Sequence, residues 1–266
     1  MKASLIITTY NWPEALELVL LSVLKQSTPP NEIIVADDGS SEKTRSIIEN
    51  FKFKSKVPII HSWQEDKGFR LSRSRNLAIA IAKYEYIIVS DGDMILHSDF
   101  VKNHIENAQK GVYLQGGRVL LQPNFSNKLL SNKSFIVPSI FSKNIKNRLN
   151  ALRSNSLSRL YAQRLNQNLN RIRGCNFSLY KSDILKVNGF NEDFVTWGQE
   201  DSEFVQRLYN SGLYRRNLKF SALQYHLYHK EGKSQVNNMQ LLSNTIDKQL
   251  TWCKNGIDKH LFDKNA

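Results

Sequence analysis

The sequence is poor in cysteine and has no long apolar run. Its two cysteines, Cys175 and Cys253, are far apart and belong to no paired motif. This argues against a disulfide framework or a thiolate zinc site and favours a reducing, cytoplasmic setting. The apolar run at the start breaks at Asn11 and Pro13, too early for a signal-peptide core, and no later run approaches the roughly 20 residues of a membrane span. We therefore expect a protein that is soluble or attached to a membrane only peripherally.

Acidic residues are absent from one long stretch. Residues 107–182 contain no Asp or Glu but 13 Lys and Arg. The whole chain has 37 basic and 24 acidic residues, so the net charge of +13 belongs to this segment and the rest is balanced. A concentrated positive block indicates an anionic partner: a phosphate-bearing substrate, a membrane surface or nucleic acid.

The first 115 residues alternate between strand and helix patterns. Apolar, β-branched runs predict strands over residues 3–9, 32–36, 59–63 and 84–90, and spacing or capping signals predict helices from Pro13, Ser40 or Ser41, Leu71 and Ser98. Repeated βα units imply an α/β fold with a mostly parallel, doubly wound sheet. The 266 residues are enough for one large domain of this kind.

Polar clusters follow three of these strands. They are Thr8-Thr9-Tyr10, Asp37-Asp38-Gly39-Ser40 and Asp91-Gly92-Asp93. Because open α/β sheets bind ligands outside the carboxyl ends of their strands, we expect the clusters to converge on one edge. Asp38 has a simpler alternative, since Asp-Asp-Gly-Ser is also a good turn sequence.

Asp91 and Asp93 pose an electrostatic problem, because two carboxylates this close repel unless a cation, donors or water compensate. Oxygen ligands suit Mg²⁺ or Mn²⁺, although isolated Asp-x-Asp triplets are also common in turns. His226 and His229, three residues apart, would share one face of a helical turn and add nitrogen ligands that Mn²⁺ accepts. The alternative is a pair of partly buried histidines bonded to backbone carbonyls.

Glu200 and Asp201 follow Trp197 in a loop at the start of a predicted helix that ends near Gly212. A carboxylate there can act as a general base on an acceptor hydroxyl, and an aromatic face beside it is a common way to hold a sugar ring. The alternative is that both acids simply favour the first turn of the helix.

The stretch from about Gln122 to Arg173 carries leucines and arginines at roughly helical spacing. One interpretation is a basic amphipathic helix lying on an anionic membrane. The other is an ordinary surface helix packed on the domain through its leucines. Further on, we expect a helical tail from Asn237 to about Cys253.

Taken together, these residues resemble the family 2 glycosyltransferases, which have the GT-A fold. The stretch LIITTYNWPEALELVLLSVLKQSTPPNEIIVADDGSSEKT resembles the nucleotide-binding start of that family, GFRLSRSRN its helix that contacts the diphosphate, and VSDGDM its Asp-x-Asp motif. A second block over about residues 174–235, GCNFSLYKSDILKVNGFNEDFVTWGQEDSEFVQRL followed by YHLYH, is similar to the C-terminal region of β-1,4-galactosyltransferases and bacterial chondroitin-type polymerases.

The resemblance implies a role for each candidate residue. Thr8, Tyr10 and Asp38 would hold the nucleoside, with Asp38 on the uracil; Arg75 would face the diphosphate; Asp91 would approach the ribose and Asp93 the metal. His229 matches the metal histidine, and His226 falls where animal galactosyltransferases carry a methionine ligand. Glu200 would bind the sugars, Trp197 would stack on sugar, and Asp201 would be the base. The family often has a glycine where Gln199 stands.

The implied activity is an inverting transfer, dependent on Mn²⁺ or Mg²⁺, of a hexose or N-acetylhexosamine from a UDP-sugar. The sugar would be transferred to a hydroxyl of a lipid-linked glycan or an oligosaccharide that is part of a growing capsule, O-antigen or lipopolysaccharide. No nucleic acid would be involved. The basic block suggests peripheral contact, through residues 107–182, with the inner face of a bacterial cytoplasmic membrane.

Within one catalytic domain we expect four parts: a nucleotide-sugar-binding half (1–115), a basic, partly helical insert (116–173), an acceptor and catalytic half (174–235) and a helical tail (236–266).

Two other classes remain open. A metal-dependent phosphohydrolase would use Asp91 as nucleophile beside Asp93, although such sites usually carry Thr or Val two residues on, where Ile95 stands here. A basic membrane- or RNA-binding module would use residues 107–182 alone and would leave the carboxylate clusters without a purpose.

Overall fold

A computed structural model describes residues 1–230 and 236–261. In those residues the strands β1 to β11 span, in order, Ala3–Thr9, Glu32–Asp37, Ile59–Trp63, Tyr86–Asp91, Met94–Leu96, Val112–Gly116, Val119–Leu120, Leu165–Asn166, Asn176–Tyr180, Tyr214–Leu218 and Gln224–His226. The helices α1 to α9 span Pro13–Val23, Glu42–Lys54, Leu71–Ile81, Phe100–Glu106, Pro123–Asn132, Asn155–Ala162, Lys181–Lys186, Glu200–Asn210 and Val236–Asp247, with 3₁₀ turns at Arg148–Ala151 and Ile257–His260.

One large mixed sheet forms the centre of the fold. Across the described residues its order is β3-β2-β1-β4-β9-β6-β10-β8. The strands β1 to β4 run parallel to one another, as do β6 and β10. β9 lies between β4 and β6 and is antiparallel to both. The predicted α/β fold with a large, mostly parallel sheet is confirmed.

Both faces of the sheet are buried, because successive strand residues point to opposite sides. Leu5 and Ile7 of β1 pack on one face with residues of α1, α2 and α4. Ile6, between them, packs on the other face with residues of α3 and α8. All three are fully buried, and each such side chain contributes about 1.5–3 kcal/mol relative to an exposed one. This two-sided burial explains the nearly continuous apolar runs in the sequence.

A second, three-stranded sheet lies beside the first, in the order β5-β11-β7. β11 is antiparallel to β5 and parallel to β7. Its Tyr225 packs with Leu18 of α1 and with residues of α5. The small sheet therefore anchors the segment that follows Asp91 against the segment that ends in His226.

Residues 122–173 form several short elements rather than the single amphipathic helix considered from the leucine and arginine spacing. This region contains α5, a 3₁₀ turn, α6 and the two-residue strand β8. Ser154 accepts a hydrogen bond from the Leu157 backbone N–H and so begins a separate helix. Leu149 and Leu160 are 81% and 63% exposed and do not pack on the domain, whereas Leu169 and Ile172 pack against the core.

The C-terminal helix is shorter than expected. It ends at Asp247 rather than near Cys253, because Gln249 has a left-handed φ of 49° that a helix cannot continue through. Residues 231–235 and 262–266, which belong to the last two predicted parts, lie outside the described residues. No helix in the described part of the chain is both long and apolar enough to span a membrane.

Candidate active site

The carboxyl ends of β1, β2 and β4 open into one cleft. Thr8 lies beside Asp91 in the strand register, and Thr9 lies beside Asp37, so the three polar clusters meet. The cleft has two adjoining parts, of about 290 and 560 Å³, with shared walls. All eleven site residues predicted from the sequence line it: Thr8, Tyr10, Asp38, Arg75, Asp91, Asp93, Trp197, Glu200, Asp201, His226 and His229.

Asp38 forms a wall of the smaller part. It is buried, and its carboxylate accepts hydrogen bonds from the Arg70 backbone N–H, at 2.8 Å, and from the Gln64 side-chain amide. Burial raises the pKa of Asp38 despite these donors. Tyr10 is 54% exposed at the mouth and donates its hydroxyl to Asp66 Oδ2 at 3.0 Å. A fixed carboxylate beside an exposed ring is an arrangement that can hold a heterocyclic base.

A buried arginine joins two of the carboxylates. Arg75 of α3 is 1% exposed and lies 3.3 Å from Asp91 Oδ1 and 3.8 Å from Glu200 Oε1. Thr8 Oγ1 also donates to Asp91 Oδ1, at 2.7 Å. Burial, together with the charge of neighbouring Asp201, raises the pKa of Glu200 to about 7, although Arg75 opposes this. Arg75 thereby orients two acidic groups on the same side of the cleft.

Asp93, His226 and His229 bring three metal-ligand atoms together. Asp93 Oδ2 lies 3.1 Å from His226 Nε2 and 3.0 Å from His229 Nε2, and the two nitrogens are 3.0 Å apart. Adjacent ligands of an octahedral cation at about 2.1 Å are separated by about 3.0 Å, so the three atoms fit one face of such a site. One carboxylate and two imidazoles form a donor set that Mn²⁺ accepts.

Two further observations fit a cation at this cluster. Asp93 Oδ1 is buried and has no hydrogen-bond partner in the described part of the chain. Burial favours a raised pKa for Asp93, but hydrogen bonds from His226 and His229 lower it to about 2. Asp93 is therefore an ionised carboxylate with an unsatisfied oxygen, which suits it to bind a cation.

Strand pairing, not a helical turn, brings the histidines to Asp93. His226 ends β11 and pairs with Met94 of β5, next to Asp93, and the Leu227 N–H donates to the Asp93 carbonyl at 3.0 Å. Residues 227–230 are irregular. The expected helical turn is wrong because β11 is held on both edges, by β5 and β7.

Asp201 lies in the larger part of the cleft, in the first turn of α8. Its Oδ2 accepts the Gly174 N–H at 2.7 Å, and its Oδ1 accepts the Ser202 N–H at 2.7 Å. Trp197 is 45% exposed in the loop before it. Gln199 in that loop has a φ of 71°, which costs a non-glycine residue roughly 1–2 kcal/mol; a glycine at this position would avoid that cost.

Three groups that hold the predicted residues were missed from the sequence: the Gln64 side chain, the Arg70 N–H and the Gly174 N–H. The Gly174 carbonyl also accepts from Arg75 at 3.3 Å, and a Cβ at Gly174 would come within 2.8 Å of Arg75. Gly174 is the first residue of the second resembling block, so its importance could have been predicted from the sequence. No pattern marks Gln64, which follows β3.

Comparison with known proteins identifies the relatives of this chain. The profile described as "Glycosyl transferase family 2" matches residues 4–188, and "N-terminal domain of galactosyltransferase" matches residues 156–230. Chondroitin synthase of Escherichia coli is 32% identical over 238 residues, covering 84% of this chain and 34% of that protein. Hyaluronan synthase of Pasteurella multocida is 29% identical over 238 residues, covering 84% of this chain and 24% of that protein.

Two solved structures share the fold. S. aureus TarS, residues 1–349, in complex with UDP-GlcNAc has a TM-score of 0.62 at 19% identity, covering 92% of this chain and 66% of that one. The mannosyltransferase PcManGT from Pyrobaculum calidifontis, in complex with GDP-Man and Mn²⁺, has a TM-score of 0.58 at 18% identity, covering 87% and 58%.

The sheet order, with carboxylates and a metal-ligand cluster at the carboxyl ends of parallel strands, defines a protein of the GT-A fold class. The chain belongs to glycosyl transferase family 2, whose profile covers more than half of its length. The predicted family is confirmed. The chain spans about a third of the length of the chondroitin synthase and about a quarter of the hyaluronan synthase.

Proposed function

We propose that this protein is an inverting, divalent-cation-dependent glycosyltransferase that moves a hexose or N-acetylhexosamine from a UDP-sugar to a hydroxyl of a growing cell-surface glycan. The observation that carries the proposal is the meeting, in one cleft, of Asp38, Asp91 and the Asp93 cluster with Asp201. The UDP-GlcNAc complex of TarS and the Mn²⁺ complex of PcManGT support the donor and the cation. The names of the chondroitin and hyaluronan synthases support the acceptor class.

The donor occupies the side of the cleft that holds the strand ends. Asp38 accepts a hydrogen bond from the uracil, Tyr10 covers the base at the mouth, and Asp91, held by Thr8 and Arg75, binds the ribose. Arg75 also adds positive charge on the diphosphate side. Asp93, His226 and His229 would hold the cation, Mn²⁺ or Mg²⁺. When bound, such a cation offsets the negative charge of the departing UDP.

The acceptor hydroxyl lies at Asp201, whose carboxylate is held in place by the Gly174 and Ser202 N–H groups. Asp201 takes the hydroxyl proton as the acceptor oxygen attacks the anomeric carbon on the face opposite UDP. A carbon–oxygen bond to the acceptor forms, the bond to the diphosphate breaks, and UDP leaves with the electron pair. One displacement inverts the anomeric configuration. Glu200 and Trp197 hold the sugars beside the reacting atoms.

The test uses a panel of UDP-sugars with Mn²⁺. It first measures how far each UDP-sugar raises the melting temperature of the protein, and then the transfer of the sugar to glycan acceptors. Asp201→Asn should lose about 10²–10⁴-fold in transfer rate, the usual contribution of a general base, while UDP-sugar binding is unchanged. Asp247→Asn, which removes an exposed carboxylate on α9, serves as the matched control. Transfer by Asp201→Asn at the wild-type rate would contradict the assignment of the base.

The same preparation separates the alternative functions. Release of phosphate from an aryl phosphate, without binding of any UDP-sugar, would favour the phosphohydrolase. Salt-sensitive RNA binding without UDP binding would favour the basic binding module.

For the basic segment, residues 107–182, we propose peripheral contact with the inner face of a bacterial cytoplasmic membrane. Ile136, Phe141 and Leu149 are each about 80% exposed, and the segment has 13 basic and no acidic residues. Exposed apolar side chains among cations favour an anionic bilayer surface.

Sedimentation with vesicles tests this contact. Binding should require anionic lipid and should fall in Phe141→Ser but not in Phe53→Ser, which removes an even more exposed ring (90%) from α2. Equal binding to neutral and anionic vesicles would contradict the proposal.

A further inference from the structure

A second cavity, of about 310 Å³, lies next to the cleft and is rich in positive charge. Its walls include Arg171, Arg173, Arg215, Lys219 and Tyr161, and no Asp or Glu is among its described lining residues. We call it the cationic pocket. It lies at the carboxyl ends of β6 and β10, which pair in parallel with Leu218 opposite Gly116, so it occupies the edge of the sheet where ligands bind in such folds.

The main evidence for an anionic ligand is a buried arginine, Arg215, that has no carboxylate partner in the described part of the chain. It is 5% exposed, and its guanidinium donates only to uncharged oxygens: Gln115 Oε1 at 3.5 Å, the Asn170 carbonyl at 3.2 Å and Asn166 Oδ1 at 3.1 Å. Its Nε has no hydrogen-bond partner, and no carboxylate ion-pairs with it, in the described part of the chain. A buried cation left without a counter-charge is unfavourable, so this site calls for an anion from outside.

The rim of the pocket adds two exposed cations. Arg171 has a φ of 61°, an uncommon conformation for a residue with a side chain. The Gln115 side-chain amide fixes this backbone by donating a hydrogen bond to the Arg171 carbonyl at 2.8 Å. The Lys219 ammonium lies 5.2 Å from the centres of both the Tyr161 and Phe220 rings. The pocket thus combines fixed positive charge with an aromatic face, which suits an anionic sugar or a sugar phosphate.

The pocket and the candidate base are connected through one short segment. Arg173 lines both the cationic pocket and the larger part of the cleft. The next residue, Gly174, donates its N–H to Asp201. A glycan whose hydroxyl lies at Asp201 can therefore extend past Arg173 towards the pocket.

We infer that the cationic pocket binds an oxyanion of the acceptor glycan, and this inference rests on the proposed glycosyltransferase function. The shared ligand chemistry is a negatively charged oxygen group within reach of several guanidinium and ammonium donors. It has two sources in glycans, the carboxylate of a uronic acid and the phosphate of a phosphorylated acceptor.

The test is isothermal titration of glucuronate and inorganic phosphate into the whole protein, with glucose as the uncharged comparison. The double variant Arg171→Gln/Lys219→Gln should bind the preferred anion about tenfold more weakly or worse, since a hydrogen bond to a charged group contributes about 1.5 kcal/mol or more. Both positions are exposed, so the fold should tolerate the change. Buried Arg215 is left intact because its replacement would disturb packing.

Lys43→Gln/Lys54→Gln is the matched control, since it removes two exposed charges from α2, at the opposite edge of the sheet. Binding of glucuronate assigns the carboxylate source, and binding of phosphate alone assigns the phosphate source. Equal affinities in wild type and both variants, or no binding of either anion to wild type, would overturn the inference. Because no UDP-sugar is used, this result is independent of whether the donor site behaves as proposed.

Discussion

Replacing Glu200 by Gln is expected to stabilise the protein, increasingly so as the pH rises. Burial raises the pKa of Glu200 from 4.5 to about 7, helped by Asp201 and Asp91 and opposed by Arg75. The folded chain therefore binds this proton more tightly than the unfolded chain. The stability linked to it is complete below a pH of about 4.5 and is lost as the pH rises through about 7. Gln does not titrate and keeps the shape of the protonated acid.

The expected magnitude follows from the pKa. One pKa unit corresponds to about 1.4 kcal/mol, so moving the Glu200 pKa from 4.5 to about 7 corresponds to about 3 kcal/mol. The free energy of unfolding of Glu200→Gln should exceed that of wild type by up to this amount near pH ~8 and by little near pH ~4.5. The assay is urea unfolding across this pH range, with EDTA present so that bound cations do not contribute.

Two comparisons make the result decisive. Glu85→Gln, which removes an exposed carboxylate, should show no such trend with pH. Asp201→Asn should lower the Glu200 pKa and so reduce the advantage of the Gln variant. A difference between wild type and Glu200→Gln that does not change with pH would refute the reasoning, because Glu200 would then ionise as it does in the unfolded chain. If the Gln variant is more stable but transfers less sugar, stability and function compete at this residue.

Three further predictions concern the cation cluster and the core. Asp93→Asn should weaken Mn²⁺ binding, measured by electron paramagnetic resonance, by at least about 100-fold, whereas Asp247→Asn should not. Arg207→Met should lower the free energy of unfolding by about 3–5 kcal/mol, because Glu203 loses its buried partner at 2.8 Å. Arg45→Met is the control: Arg45 forms an exposed ion pair with Glu42, so its loss should change the free energy of unfolding little. Gly116→Ala should destabilise by about 1–3 kcal/mol, because a Cβ would overlap the Asn176 amide, whereas Gly117→Ala has open space. Equal urea midpoints within either pair would contradict the packing described.

The sequence alone predicts the N-terminal half of the fold well, because its strands carry a strong local signal. The β-branched run Tyr86–Asp91 can be recognised without tertiary information, and parallel strands with helices on both faces fix where Thr8, Asp38 and Asp91 meet. The family resemblance adds only the proposal of which carboxylate would act as base. For these residues local and global preferences agree.

The parts that the sequence does not predict depend on contacts between distant segments. β5 and β11 have three residues each, too few for a periodic pattern, yet their pairing is what brings His226 to Asp93. In residues 122–173 the leucine spacing suggests a helix, but Ser154 begins a new one and Leu149 remains exposed. Local patterns cannot report which side chains find a partner in the folded chain.

The position of β9 also governs how the chain must assemble. β9 fills the gap between β4 and β6, although it follows them in sequence by more than 50 residues. A fragment ending before β9 would leave the inner edges of both strands with unpaired backbone groups, which promotes aggregation. We therefore expect the segments before and after β9 to fold cooperatively and slowly, as topologies rich in sequence-distant pairings do. Asp91 and Asp201 would then acquire their positions in a single step.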